Sequence, residues 1–452
     1  MPNSDSQPAL LVGAAGRKIT PRIGGWLIGP QAPSTGVHDD LYARAVVLDD
    51  GDTRCAILGL DVAGFSLAFN DELVRLIQEH AGIETVLMNA SHTHNAPFSI
   101  PWSVDGWSHF CRDENDWRDE LRKTLPALVA SALQACRPAT LSSGRAPVAV
   151  GMNRRVLTDD GIVMRPNANG NSLPWVDVLK VTDKDGVPIA ILYSHAAHPV
   201  IIHSASDLIS ADYPAASAIT IQNAFDLDVV PLFLQGCGAD INGHPLQGGL
   251  EPSFAAGRKL GDATLKAVES SLQLESHKLC IVSKTLDLTC QRLPELEACD
   301  AVIEAMIQQH EELEEEAPWN EGDKIRRLKH LREMIVSQDQ PQVRFDITML
   351  KIGADWCLTA MSHEVFSEYA LWVDAHSPFS RNVTLAYTNG CEVYVPTDAD
   401  LELGVRGGYE AACFPVPGAA ALAYPHRLAL RPGAEEQIKD SIRNLWSQML
   451  YL

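Results

Sequence analysis

The stretch Val176-Asp177-Val178-Leu179-Lys180-Val181, followed by the turn Asp183-Lys184-Asp185-Gly186 and the apolar run Ile189 to Tyr193, ends in Ser194-His195-Ala196-Ala197-His198-Pro199. Alternation over the first run, Asp and Gly at the turn and β-branched residues after it predict two antiparallel strands. The polar cluster at the exit of the second strand places histidines where a loop begins. The same pattern occurs twice more. Leu41 to Leu48 turns at Asp49-Asp50-Gly51-Asp52 into Cys55 to Leu60 and then Asp61, and Ile347 to Ile352 turns at Gly353-Ala354-Asp355 into Trp356 to Met361 and then Ser362-His363-Glu364. Three further apolar runs also end in polar clusters: Thr85 to Met88 before His92, Val229 to Leu234 before Gly236 to Asp240, and Val383 to Ala386 before Tyr387-Thr388-Asn389-Gly390. Ligand sites in α/β proteins gather at the carboxyl ends of strands. Six loops are expected to converge there.

Helices interleave with these strands. Asn70 or Asp71 is read as the cap of a helix with Leu73, Leu76 and Ile77 on its apolar face and Gly82 as its stop. Leu121, Leu125, Leu128, Val129 and Leu133 mark a second helix, in which Pro126 implies a kink or a late start. The charged stretch from about 295 to 337 reads as a solvated helical hairpin inserted in the fold. It contains Glu311-Glu312-Leu313-Glu314-Glu315-Glu316 and Pro318-Trp319-Asn320. The expectation is an α/β fold with mixed sheets and flanking helices, a single domain over 1–452 and the site at strand carboxyl ends.

Composition excludes several classes. The 452 residues carry 58 acidic against 36 basic side chains, a net charge of -22, which repels phosphate backbones and argues against a nucleic-acid partner. No run approaches the roughly 18 apolar residues of a membrane span. The segment Met1 to Gln7 has neither the basic nor the apolar part of a signal peptide, so a cytoplasmic location is expected. Ten cysteines without a Cys-x-x-Cys pair suggest reduced core residues instead of a disulfide framework or thiolate zinc site. The expected partner is a small-molecule substrate, and nothing in the sequence specifies an oligomeric state.

Three strand exits carry metal-ligand chemistry. His92 and His94, two apart in Ser91-His92-Thr93-His94, point to one side of a strand end. His198 is held extended by Pro199 and lies near His195 and His203, while Glu364 follows the third hairpin. Each has an ordinary alternative as a core histidine or a capping carboxylate. Together they offer the nitrogens and carboxylate of a catalytic zinc site with a position open for water. Asp61 and Asp240 are read either as turn residues or as carboxylates orienting a histidine. Ser210-Ala211-Asp212-Tyr213-Pro214 is read as part of the rim or as a helix N-cap. Phe98, Trp102, Trp107, His109 and Phe110 are a candidate substrate wall, with Gly404 to Gly408 and Phe414 to Ala423 as candidate flaps.

The ordered set of motifs resembles the neutral ceramidase family over most of the chain. Gly13-Ala14-Ala15-Gly16-Arg17-Lys18-Ile19-Thr20-Pro21 and Leu41 to Ala45 look like its opening. Ser91-His92-Thr93-His94-Asn95-Ala96-Pro97 is similar to its Thr-His-Thr-His-Ser-Gly-Pro signature. Asn153-Arg154, Ala197-His198-Pro199, Glu364, Tyr394-Val395-Pro396-Thr397 and Gly408-Tyr409-Glu410 follow in order. The resemblance implies one Zn2+ held by His92, His198, Glu364 and Tyr394, with His94, Arg154 and Tyr409 around the reacting carbonyl. Arg155 is the alternative to Arg154, since adjacent residues on a strand face opposite ways. Two features depart from the family: Asn242 stands where its Gly-Asp-x-Ser-Pro run has serine, which excludes a serine nucleophile there, and the sequence ends at Leu452, before the family's C-terminal β-sandwich.

The expected function is a zinc-dependent hydrolase in which water activated by the metal attacks an acyl carbonyl, with the amide of a small, soluble N-acylated compound as first choice. His94 is the candidate for proton transfer to the leaving amine, and Arg154 and Tyr409 for oxyanion stabilisation. The alternatives are an esterase or lactonase acting on a polar or carbohydrate-derived substrate, and a non-catalytic binding protein.

Overall fold

A computed structural model describes residues 10–97, 99, 114–225, 229–309 and 321–451. The candidate wall residues Phe98, Trp102, Trp107, His109 and Phe110, the acidic run 311–316 and the segment 318–320 lie outside the described residues.

All three hairpins form, with antiparallel registers running from Asp49↔Arg54, Thr182↔Pro188 and Ile352↔Trp356 at their turns. Each then gains a parallel strand by way of a helix. Arg54–Leu60 pairs with Thr85–Ala90 across the helix Leu67–Ala81. Pro188–His195 pairs with Val230–Gln235 across Tyr213–Ala224, and Trp356–Met361 with Arg381–Leu385 across Ser367–His376. The hairpin recurrence is therefore part of a larger repeated unit. Parallel neighbours need such a crossover because their ends lie at opposite edges.

The first two units join through Leu11–Lys18 and Arg137–Pro147 into one nine-stranded sheet, and the third belongs to a four-stranded sheet. The fold is mixed α/β with flanking helices, as the alternation of strand and helix patterns implies. Leu48, Ile57, Leu192, Leu232, Leu358 and Leu385, from all three units, share one buried apolar cluster.

The three parallel strands meet at their carboxyl ends around Asn89. Its Oδ1 accepts from the Gln235 backbone N–H at 2.6 Å, and its Nδ2 donates to the Ala386 carbonyl at 2.7 Å and Thr388 Oγ1 at 3.0 Å. A buried amide satisfied in this way ties the units at the point from which the site loops leave.

Several local expectations are corrected. The first helix is capped by Ser66, whose side chain accepts from the Phe69 N–H, so it starts before Asn70, and Asn70 is buried inside it. Gly82 does end it, at φ 63. The second helix, Glu114–Gln134, runs through Pro126. The charged insertion is not solvated all round. Cys299, Ile303, Ile325, Leu328 and Leu331, from Leu296–Gln309 and Glu321–Ser337, are buried in the main core. All nine described cysteines are free, and seven are buried. Among the described residues no helix is long and apolar enough to cross a membrane.

Candidate metal and active site

Each unit contributes to one buried cluster. His92 leaves the strand Thr85–Ala90, His198 leaves Pro188–His195, and Glu364 follows Trp356–Met361. His92 adopts φ 66 and His363, next to Glu364, adopts φ 69. Left-handed backbone is uncommon for residues with a Cβ and is retained where the surroundings impose it. Here backbone bonds do so: His92 N–H donates to the Val62 carbonyl at 2.8 Å, and His363 N–H to Gly390 at 2.8 Å.

The two histidines are oriented alike. His92 Nδ1 lies 2.5 Å from the Ala63 carbonyl, and His198 Nδ1 lies 2.8 Å from the Gly238 carbonyl. A carbonyl only accepts, so each Nδ1 carries its proton, and a ring in its neutral form presents a lone pair at Nε2. Both lone pairs face one oxygen: Glu364 Oε2 is 3.3 Å from His92 Nε2 and 3.1 Å from His198 Nε2. Three acceptor atoms at such distances call for a cation among them. For His198 a proton is disfavoured, since burial and then the nearby Arg154 charge push it down to about 4.

His94 completes a group of three. One ring nitrogen from each of His92, His94 and His198 lies within 4.8 Å of the others, a spacing that suits a shared metal ion. Both His94 nitrogens are buried without a hydrogen-bond partner among the described residues. Burial, and then the neighbouring His92, lower its basicity well below the ordinary histidine value. An orphaned, neutral imidazole beside converging lone pairs fits a metal-binding or proton-transfer cluster better than a packed core.

Glu364 and Tyr394 are side by side, as register partners in a short parallel pairing of Glu364–Val365 with Tyr394–Val395. The Tyr394 hydroxyl accepts from Arg154 Nη2 at 3.2 Å. Arg154 also donates from Nε to Glu410 at 2.7 Å and from Nη1 to Asn242 Oδ1 at 2.9 Å. Arg155 was expected to face the other way, but it bonds the second oxygen of the same Glu410, and its Nη2 reaches Asp400 at 2.6 Å and the Gly407 carbonyl at 3.2 Å. Of the two, Arg154 touches Tyr394.

His92, His94, Glu364, Tyr394 and Tyr409 line a cavity of about 220 Å³, together with Ile28, Gln31, His203, Ala423 and Tyr424. Of the segments read as flaps, Phe414 to Ala423 contributes Ala423, whereas Gly404 to Gly408 contributes none of these lining residues and Tyr409 follows directly after it. Sequence reasoning missed Tyr387 and Tyr424, which grip Glu364 from either side. The Tyr424 hydroxyl donates to Oε1, and the Tyr387 hydroxyl to Oε2 at 3.4 Å, with its ring 4.5 Å from that of His92. Tyr387 begins the sixth polar strand exit, a signal that was available. Tyr424 sits in an alanine-rich stretch without one.

The two carboxylates considered as histidine partners serve elsewhere. Asp61 accepts from Arg44 and the Tyr42 N–H, while Asp240 accepts from Asn153 and from the N–H and hydroxyl of Ser367. Backbone carbonyls take the orienting role instead. Asp212 caps Tyr213–Ala224, the ordinary reading of that motif.

No protein-family model matches the sequence. Among solved structures, the chain is similar to neutral ceramidase from Pseudomonas aeruginosa, with a TM-score of 0.63 and 16% identity over 93% of this chain and 73% of that one. It is also similar to a ceramidase complexed with C2, with a TM-score of 0.65 and 15% identity over 96% and 76% of the two chains. The chain therefore has the fold of these ceramidases.

Proposed function

We propose that this chain is a zinc-dependent amidohydrolase of one domain, cleaving the acyl carbonyl bond of a small N-acylated compound. The observation that carries the reading is the convergence of His92 Nε2 and His198 Nε2 on Glu364 Oε2, at 3.3 and 3.1 Å, with each Nδ1 turned to a backbone carbonyl. In this reading His92, His198, Glu364 and Tyr394 hold the ion, and the likeness in fold to ceramidases supports amide chemistry. When bound, zinc supplies Lewis acidity and makes water a nucleophile near neutral pH.

The chain's own residues supply the rest. Arg154, fixed on Tyr394 and Asn242, presents positive charge where an oxyanion develops, and Tyr409 donates from the cavity wall. His94, neutral and without a fixed partner among the described residues, carries a proton to the departing nitrogen. An amine is a poor leaving group unless protonated, and this requirement favours amides over esters and lactones.

A panel of short N-acyl amides, esters and lactones, offered to the zinc-loaded protein, tests the reading. Turnover of an amide that is lost with His94→Ala supports it. Turnover of esters or lactones alone moves the assignment to that chemistry, and no turnover of any class rejects it.

A further inference from the structure

Glu410 follows Tyr409 and is 2% exposed, yet it plays no part in the mechanism above. Its two carboxylate oxygens are divided between neighbouring cations, Oε1 accepting from Arg154 Nε and Oε2 from Arg155 Nη1. We propose that Glu410 is a positioning residue that holds Arg154 against the cavity-lining Tyr394 and places it as one body with Tyr409. This inference rests on the hydrolase reading.

Arginine has five N–H donors in a planar fork. The described residues take three of those on Arg154: Nε by Glu410, one at Nη1 by Asn242 and one at Nη2 by Tyr394. One N–H on each terminal nitrogen is not taken by these partners. Glu410 is the only one of the three partners with a full charge, and charge-assisted bonds are roughly twice as strong as neutral ones. It decides where the fork points.

Glu410 cannot drift with Arg154. Its other oxygen is held by Arg155, itself tied to Asp400 and to the Gly407 carbonyl. The helix Gly408–Ala411 that carries both Tyr409 and Glu410 is seated on the strand Gly161–Asn167. Gly408 has φ 74, and a Cβ there would come within 2.8 Å of Ile162 Cγ2. Tyr409 and Arg154, the two candidate oxyanion donors, are thereby placed relative to each other by one carboxylate. The plainer role for Glu410 is neutralisation of two buried cations, which predicts loss of stability alone.

The zinc-loaded full chain separates the two roles when wild type, Glu410→Gln, Arg154→Ala and the double variant are compared. Positioning predicts that Glu410→Gln lowers kcat by about 10- to 100-fold while KM stays within about threefold, because a misplacement near 1 Å has that effect on rate. In the Arg154→Ala background the further loss is under about twofold, since the residues act as a unit. Acetate, a carboxylate like the reaction's product, gives a readout apart from activity. Removing a negative charge would by itself tighten acetate, whereas a misaimed Arg154 weakens it, by about tenfold or more on this proposal. Equal kcat losses in both backgrounds, or acetate binding that is unchanged or tighter, overturns it. Should Glu410→Gln fail to fold, Glu410→Asp replaces it: an intermediate kcat loss supports positioning, and wild-type kcat overturns it. A wild type that cleaves nothing while acetate weakens in Glu410→Gln rejects the hydrolase reading and leaves the positioning of Arg154 standing.

Discussion

Glu364→Gln is expected to change stability in opposite directions with and without metal. In the metal-free protein Glu364 Oε2 faces the Nε2 lone pairs of His198 at 3.1 Å and His92 at 3.3 Å. A glutamine amide turned with its nitrogen in that position donates to the lone pairs, while its oxygen keeps the Tyr424 hydroxyl bond now made to Oε1. One hydrogen bond gained is worth about 1 kcal/mol, and removing a buried charge adds to it. Unfolding entropy is roughly 1 kcal/mol per degree for a chain of 452 residues, so the variant should melt about 1–2 °C above wild type in chelator. With zinc at about a thousandfold over its Kd, wild type gains about 4 kcal/mol, or roughly 4 °C, and the variant less than about 1 °C because a neutral amide is a weak ligand. Calorimetric melts of both proteins, with chelator and with zinc, make the comparison. A variant that melts below wild type in chelator, or gains as much from zinc, would refute the lone-pair argument.

Three further changes probe the same framework. Tyr424→Phe keeps the ring and removes the donor to Glu364 Oε1, so zinc affinity measured by chelator competition should fall about 10- to 100-fold; unchanged affinity would show that the bond does not orient the carboxylate. Gly408→Ala forces a Cβ to 2.8 Å from Ile162 Cγ2 at φ 74, and left-handed strain with crowding should lower stability by about 2–4 kcal/mol and reduce kcat as Tyr409 shifts. A wild-type melting curve would contradict the seating of that helix. Asp240→Ala strips the acceptor from Ser367 and Asn153 and should lower stability by about 2–4 kcal/mol, checked by urea titration.

The hairpins were legible because alternation and Asp/Gly turns are local signals, and the polar exits after Met88, Tyr193 and Met361 marked where chemistry would lie. The parallel pairings were not. Nothing local in Val230–Gln235 says that it lies beside Pro188–His195, since that contact closes a long loop and is chosen by burial. Asn89 looked like one more polar residue at a strand end, and its role at the junction of three units exists only once Gln235 and Ala386 arrive. The cap of Leu67–Ala81 went to Ser66 although Asn70 and Asp71 are equally good cap types, because phase on the helix is set by which residues the core buries: Phe69, Leu73 and Ile77. The expectation that Arg154 and Arg155 diverge failed for a similar reason. Strand alternation sets the direction of Cβ, whereas long side chains bend toward a shared buried carboxylate.

Metal analysis of the purified wild type beside His92→Ala and Glu364→Ala tests the central claim most directly. The account predicts one zinc per chain in wild type and its loss from both variants. Stoichiometric zinc retained by both would contradict it.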